Sequence, residues 1–245
     1  MTRALIIVDV QPTFCEGGAL PVTGGNAVAE AVAAYVEAHR GDYQLIATTQ
    51  DWHIDPGAHF SETPDFVDTW PPHGVAGTDE AELHPALANV NADVTVKKGQ
   101  YEAAYSGFEG TTEDGKTLEE ALRAAGVTEV DVVGLAESHC VACTAVDAVR
   151  AGFPTRVLRE LTAPVSEELG AQAREVLVVD LFGDLAAARH LSPEAGVRGC
   201  RDDLGVHGRG GHAGQQDGGA TGQARESGVN DGLAVGKGDE AGAQV

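Results

Sequence analysis

Ala4-Leu5-Ile6-Ile7-Val8, followed at once by Asp9, is the stretch that decides the fold. A continuous apolar run rich in β-branched residues fits a strand covered on both faces, as in the middle of a parallel sheet. Four more short runs of this kind recur, at 44–49, 94–96, 129–136 and 155–161. Helical patterns lie between several of them. Val28, Ala31, Val32, Tyr35 and Val36 fall at helical spacing within 28–38. The segment 117–125 opens with Thr117 and Glu120, a capping-box pair, and 139–151 and 166–176 read as two further helices. Strands alternating with helices predict an α/β fold: a three-layer, mostly parallel central sheet with helices on both faces.

Two stretches break the alternation. Residues 51–93 are rich in Pro, His, Asp and Gly with little periodicity, and an irregular segment that long in a compact domain usually carries function. From 196 onward the chain is Gly-, Ala- and charge-rich with almost no large apolar side chains. Such a segment buries too little surface to offset its ordering entropy. The expected organisation is one folded domain over 1–185 and a disordered tail over 186–245.

The 245 residues carry 38 acidic and 16 basic side chains, a formal net charge of −22. A surface of that sign repels nucleic acid and anionic membranes, so neither is expected as a partner. No apolar run approaches the ~20 residues that span a bilayer, and the N-terminal apolar run is too short for a signal peptide. A cytoplasmic protein, monomeric or a small homo-oligomer, is expected. Four cysteines (Cys15, Cys140, Cys143 and Cys200) lack zinc-ribbon spacing. Cys140 and Cys143 form a C-x-x-C, but Val141-Ala142 stand between them rather than the Gly-Pro of a thioredoxin-like redox pair.

In open parallel sheets, ligands bind beyond the carboxyl ends of the strands. Asp9, Asp51, Lys98 and Cys140 each follow one of the predicted strands, so four chemically capable residues converge on one rim. Cys140 opens a predicted helix, where the dipole and free N–H groups favour a thiolate, and an ammonium from Lys98 would lower the thiol pKa further. Asp9 can take the thiol proton and return it to a leaving amine. Backbone N–H groups of Ala136 and Cys140 are the candidate oxyanion hole. This is the pattern of a cysteine amide hydrolase acting on a small-molecule amide. Asp51, His53, His59 and then His73 make a second constellation; they read either as ligands of a divalent Zn, Fe or Mn ion or as surface histidines. His84 reads as a solvated side chain.

The residues now quoted resemble the nicotinamidase/pyrazinamidase branch of the isochorismatase-like cysteine hydrolases. The similar stretches are Ala4 to Gln11, Asp51-Trp-His53-Ile-Asp-Pro-Gly-Ala-His59-Phe-Ser, Trp70-Pro-Pro-His73, Lys98-Gly99 with Ala104-Tyr-Ser-Gly-Phe108, and Gly134-Leu-Ala136-Glu-Ser-His-Cys140-Val. Together they span about residues 3 to 170 in the expected order. The resemblance implies a triad of Asp9, Lys98 and Cys140, with Lys98 chosen over Lys97 because it precedes Gly99. It implies metal ligands at Asp51, His53, His59 and His73, and a cis peptide at 135–136 shaping the oxyanion hole. It also implies an aromatic substrate pocket of Phe14, Trp70 and Tyr105 with His139 beside it. The implied reaction is hydrolysis of nicotinamide, and of pyrazinamide, through a Cys140 thioester, in NAD salvage.

The chain departs from the family pattern in four places. Pro12-Thr13 stand after Gln11 where Asn-Asp is usual, Glu137-Ser138 stand before the nucleophile where Thr-Asp is usual, and Gly74 replaces a common Cys. Past about 171–176 the resemblance fades, and the glycine-rich composition that follows is that of high-GC DNA read out of frame. The expectation is a sheet missing its closing strand, and the alternatives to a nicotinamidase are another small-amide hydrolase of the superfamily or an inactive frameshifted product.

Overall fold

The computed structural model describes residues 2–182. The expected tail over 186–245 and the expected loss of a closing strand lie outside these residues. Five strands form the sheet: β1 (Arg3–Val8), β2 (Leu45–Asp51), β3 (Val94–Lys98), β4 (Glu129–Leu135) and β5 (Thr155–Ala163). Their order across the sheet is β3-β2-β1-β4-β5 and every pairing is parallel. β1 therefore sits in the middle, with Ile6 opposite Ala47 on one side and Val132 on the other. That position explains the unbroken apolar run, because residues from Ala4 to Val8 are all fully buried.

The strand's two-residue period divides this run between two cores. Ala4, Ile6 and Val8 pack with Leu118 and Leu122 of α2 (Leu118–Ala124), Val146 of α3 (Ala142–Arg150) and Val176 of α4 (Glu167–Phe182). Leu5 and Ile7 pack on the opposite face with Val28, Ala29, Val32 and Val36 of α1 (Gly25–His39). The predicted three-layer architecture is present: among the described residues, one helix covers one face and three cover the other.

The Thr117–Glu120 capping box forms as expected, with the Thr117 hydroxyl accepting from the Glu120 amide and the Glu120 carboxylate accepting from the Thr117 amide. Two boundaries differ from expectation in ways that matter for chemistry. β2 and β3 run further than their apolar runs, so Asp51 and Lys98 are the last residues of their strands and not loop residues beyond them. Ladder pairing between Asp51 and Lys98 themselves holds both polar residues in the sheet. The helix expected over 139–151 begins only at Ala142. Residues Glu137–Val141 form a π-helical turn, in which the Val141 amide donates to the Ala136 carbonyl five residues back.

Candidate active site

All four strand ends named by the sequence meet at one buried cluster. Lys98 is the hub and its side chain is fully buried. Its ammonium lies 3.0 Å from Asp9 Oδ2, bonds Asp51 Oδ1, donates to the Ala104 carbonyl at 3.0 Å and stands 3.7 Å from Cys140 Sγ. Asp9 leaves β1 with φ +46, an uncommon conformation for a non-glycine residue and one that turns its carboxylate into the cluster. The Thr49 hydroxyl donates to Asp9 Oδ1 at 2.6 Å.

A buried ion cluster of this kind shifts every member. Burial works against the Lys98 charge, but the Asp51 and Asp9 carboxylates outweigh it and hold the ammonium well above the usual lysine range. Burial lifts the Asp9 carboxyl, with the Lys98 charge opposing. Asp51 moves the other way: burial is outweighed by the Lys98 charge, and it lies well below the usual carboxylate range. The expectation of a low-pKa thiol is corrected. Burial pushes the Cys140 thiol up, Lys98 pulls it down, and the Asp9 and Asp51 carboxylates add to the upward push. Cys140 also sits inside the π turn, ahead of α3 and not at its first residue. At rest Cys140 is therefore a neutral thiol.

Beside this cluster His53, His59 and His73 come together, each offering a nitrogen within 4.8 Å of the others'. The His53 Nδ1–H donates to the Gly99 carbonyl and the His73 Nδ1–H to the Pro71 carbonyl at 2.8 Å. A carbonyl only accepts, so both rings present Nε2 as a bare lone pair. Each Nε2 lies 3.6 Å from Asp51 Oδ2. Burial, with the neighbouring His73 and His53, pushes His59 down to about 4, so this ring is neutral at pH 7. His53 Nε2 and His59 Nδ1 are buried without a hydrogen-bond partner among the described residues. Orphaned lone pairs beside a carboxylate are costly unless a cation takes them, and three imidazoles plus one carboxylate suit a divalent metal. The residues present fit such a group.

Glycine is required twice around this set. Gly99 has φ +70, and a Cβ there would lie 2.5 Å from the His53 ring. Gly74 has φ +51, and its Cβ would lie 2.9 Å from that of Asp51. The backbone here closes onto Asp51. The other departures are also accommodated. Pro12 is the first residue of a 3-10 turn (Pro12–Phe14), where no amide donor is needed. Thr13 is buried and its hydroxyl accepts from the Gly74 amide at 3.1 Å.

A cavity of about 390 Å³ opens onto both clusters. Its lining includes Cys140, Ala136, Asp51, His59, His73, Phe14, Trp70, Tyr105 and His139, so the residues that resemblance placed in a substrate pocket do share one wall. The Trp70 indole N–H donates to the Tyr105 hydroxyl at 2.9 Å, and Trp70 meets His139 edge-on with centroids 5.7 Å apart. Burial pushes His139 down to about 4 and Tyr105 up to about 12, so both face the cavity uncharged. The Leu135–Ala136 peptide is cis. His84 is not the solvated side chain expected. Half-buried, it accepts from the Ala86 amide and bonds Asn26, away from the site.

Sequence reasoning missed two supporting residues. Gln11 is fully buried; its amide accepts from the Asp51 N–H at 2.9 Å and donates to the Asp51 and Ala81 carbonyls. Thr49, noted above, orients Asp9. The available signal was polarity in the wrong place: Thr48, Thr49 and Gln50 interrupt a buried strand, and a buried polar side chain needs a partner.

The comparisons with known proteins agree with this geometry. The chain is 55% identical over 173 residues to the nicotinamidase/pyrazinamidase of Mycobacterium tuberculosis, an alignment covering 71% of this chain and 92% of that protein. Its structure matches the pyrazinamidase of Pyrococcus horikoshii in complex with zinc at TM-score 0.63 and 34% identity, over 74% of this chain and 96% of that one. It also matches the yeast nicotinamidase bound to the inhibitor nicotinaldehyde at TM-score 0.63 and 25% identity, over 73% and 97%. The family model described as the isochorismatase domain matches residues 3–189, beyond 171–176 where the motif resemblance fades. With the sheet, the rim and this match all in agreement, the chain belongs to the isochorismatase family.

Proposed function

We propose that this protein is a nicotinamidase, hydrolysing nicotinamide to nicotinate and ammonia, with pyrazinamide as a second substrate. The observation that carries the reading is the cluster of Cys140, Lys98 and Asp9 beside three gathered histidines, with Cys140, His59 and His73 lining one aromatic-walled cavity. The relative at 55% identity carries the same activity in its name.

In this reading the aromatic ring lies between Phe14, Trp70 and Tyr105 and the carboxamide faces Cys140. The Cys140 sulfur attacks the carbonyl carbon while its proton passes to Asp9. Lys98, 3.7 Å from the sulfur, stabilises the thiolate as it forms. The Ala136 and Cys140 amides receive the developing oxyanion. Asp9 then gives the proton to the amide nitrogen, the C–N bond breaks and ammonia leaves. A water molecule, deprotonated by Asp9, attacks the thioester carbonyl; nicotinate leaves and the proton returns to the thiol. Asp51, His53, His59 and His73 would hold a divalent metal, Zn, Fe or Mn, which when bound supplies a Lewis-acid anchor for a ring nitrogen. The proposal includes a cytoplasmic role in NAD salvage.

Ammonia release from nicotinamide by the metal-loaded protein, with Cys140→Ala as control, tests the reading. Release that depends on Cys140 supports it. No release from a folded, metal-loaded protein defeats it.

A further inference from the structure

Glu137 is a buried carboxylate that the mechanism above does not use. It is 3% exposed, opens the π turn that carries Cys140, and follows Ala136 directly. Its side chain takes no part in lining the cavity. Instead Glu137 Oε2 accepts from Arg174 Nη1 of α4 at 3.0 Å, and Oε1 lies 3.5 Å from Arg159 Nε of β5. The next residue makes a second tether in the same direction: the Ser138 hydroxyl accepts from the Val165 amide at 3.2 Å and bonds His139 Nδ1 at 2.9 Å.

A buried carboxylate costs far more than a small neutral residue unless cations meet it in good geometry. Here Arg174 does so through a hydrogen bond, and Arg159 stands within ion-pair distance of the other oxygen, which has no hydrogen-bond partner among the described residues; this is the position where the family usually has Thr. The pair of residues that departs from the family pattern is thus the pair that fastens the turn to β5 and α4. That turn carries the Cys140 thiol and amide and the cavity-lining His139, and Ala136, whose amide is the other oxyanion donor, is its cap.

We infer that Glu137, held by Arg174 and Arg159, is a positioning residue that sets the Ala136 and Cys140 amides for the oxyanion. The inference rests on the proposed amide hydrolysis. It makes a specific demand on kinetics. A displaced oxyanion donor weakens the transition state and leaves the ground state alone. Removing one such donor outright costs about 10²–10³ in kcat, so loosening the turn is expected to cost about tenfold.

The test uses the full metal-loaded chain and three variants: Glu137→Gln, Arg174→Met and the double variant Glu137→Thr with Arg174→Met. Expected for each single variant is a kcat for nicotinamide lowered about tenfold, with KM and nicotinate affinity within about threefold. Inhibition by nicotinaldehyde, whose thiol adduct carries an oxyanion, weakens in the same proportion as kcat. The double variant, which leaves no unpaired Glu137 charge, recovers thermal stability but keeps the low kcat. If kcat follows stability back up, or if aldehyde inhibition is unchanged in the single variants, the inference is overturned. Should the parent release no ammonia from nicotinamide, the functional reading fails, and hydrogen exchange judges the clamp independently. Amides 136–141 are then expected to exchange about fivefold faster in Glu137→Gln with β1 unchanged; equal exchange overturns the inference.

Discussion

Replacing Lys98 by Met keeps roughly the bulk of the side chain and removes the ammonium, both its charge and its donors. The ammonium lies 3.0 Å from Asp9 Oδ2 and also bonds Asp51, and neither Lys98 nor Asp9 has any exposed side-chain surface. At an effective dielectric near 20, the Asp9 pair alone corresponds to about 5 kcal/mol of Coulomb attraction. The ammonium's own desolvation offsets a good part of that. What the variant loses is larger than the net worth of the pair, because two carboxylates stay behind without their cation. Breaking a buried pair from one side costs about 3–5 kcal/mol. For a domain of this size each kcal/mol lowers Tm by about 2–4 °C, so a fall of about 6–20 °C is expected in thermal unfolding followed by circular dichroism. The Ala104 carbonyl loses its donor as well. Catalysis suffers separately, because the thiolate forming at Cys140 has no cation at 3.7 Å. The ammonia-release assay on the folded variant should show kcat/KM down by about 10²–10³ or more. A Tm within about 2 °C of the parent, or a kcat/KM within tenfold, would refute the reading of Lys98 as the hub.

Three further outcomes are expected. Gly74→Ala places a Cβ 2.9 Å from that of Asp51 on a backbone with φ +51; it should cost about 1–3 kcal/mol and weaken metal affinity, and unchanged metal titration by calorimetry would contradict this. Burial holds His139 at about 4 against an ordinary 6.5. The unfolded chain gains a proton near pH 6.5 that the folded chain refuses, so this stability is full above about 6.5 and is lost as pH falls from there towards 4. His139→Gln should therefore flatten the Tm–pH curve in that window, and parallel curves for the two proteins would count against it. Chelation of a metal-loaded sample should lower Tm and His53→Ala should abolish that response; a chelator effect that survives His53→Ala would remove His53 from the ligand set.

Much of the site was legible because its residues are marked by position along the chain. Asp9 stands directly after a buried strand, and Asp51-x-His53 with His59 and His73 gathers lone-pair donors in an irregular stretch. Both signals are local, and both led to residues that the structure brings together in adjoining buried clusters. What was illegible depended on partners distant in sequence. Gln11 holds Asp51 from 40 residues away and Glu137 meets Arg174 across 37. The thiol is the sharpest case. A cysteine at a helix start beside a lysine suggests a low pKa, yet burial with two carboxylates nearby reverses the sign.

The sequence alone therefore determined the layered α/β fold, the strand ends that form the rim and the residue types gathered there. Periodicity and chain order encode these through local physics, namely which face of a strand or helix is apolar and where it stops. Tertiary structure decided the protonation of Cys140, the lone-pair direction of His53 and His73, and the accommodation of Pro12, Gly74 and Glu137. These depend on burial and on charges and carbonyls contributed by other strands, and such fields arise only when the chain has closed around them.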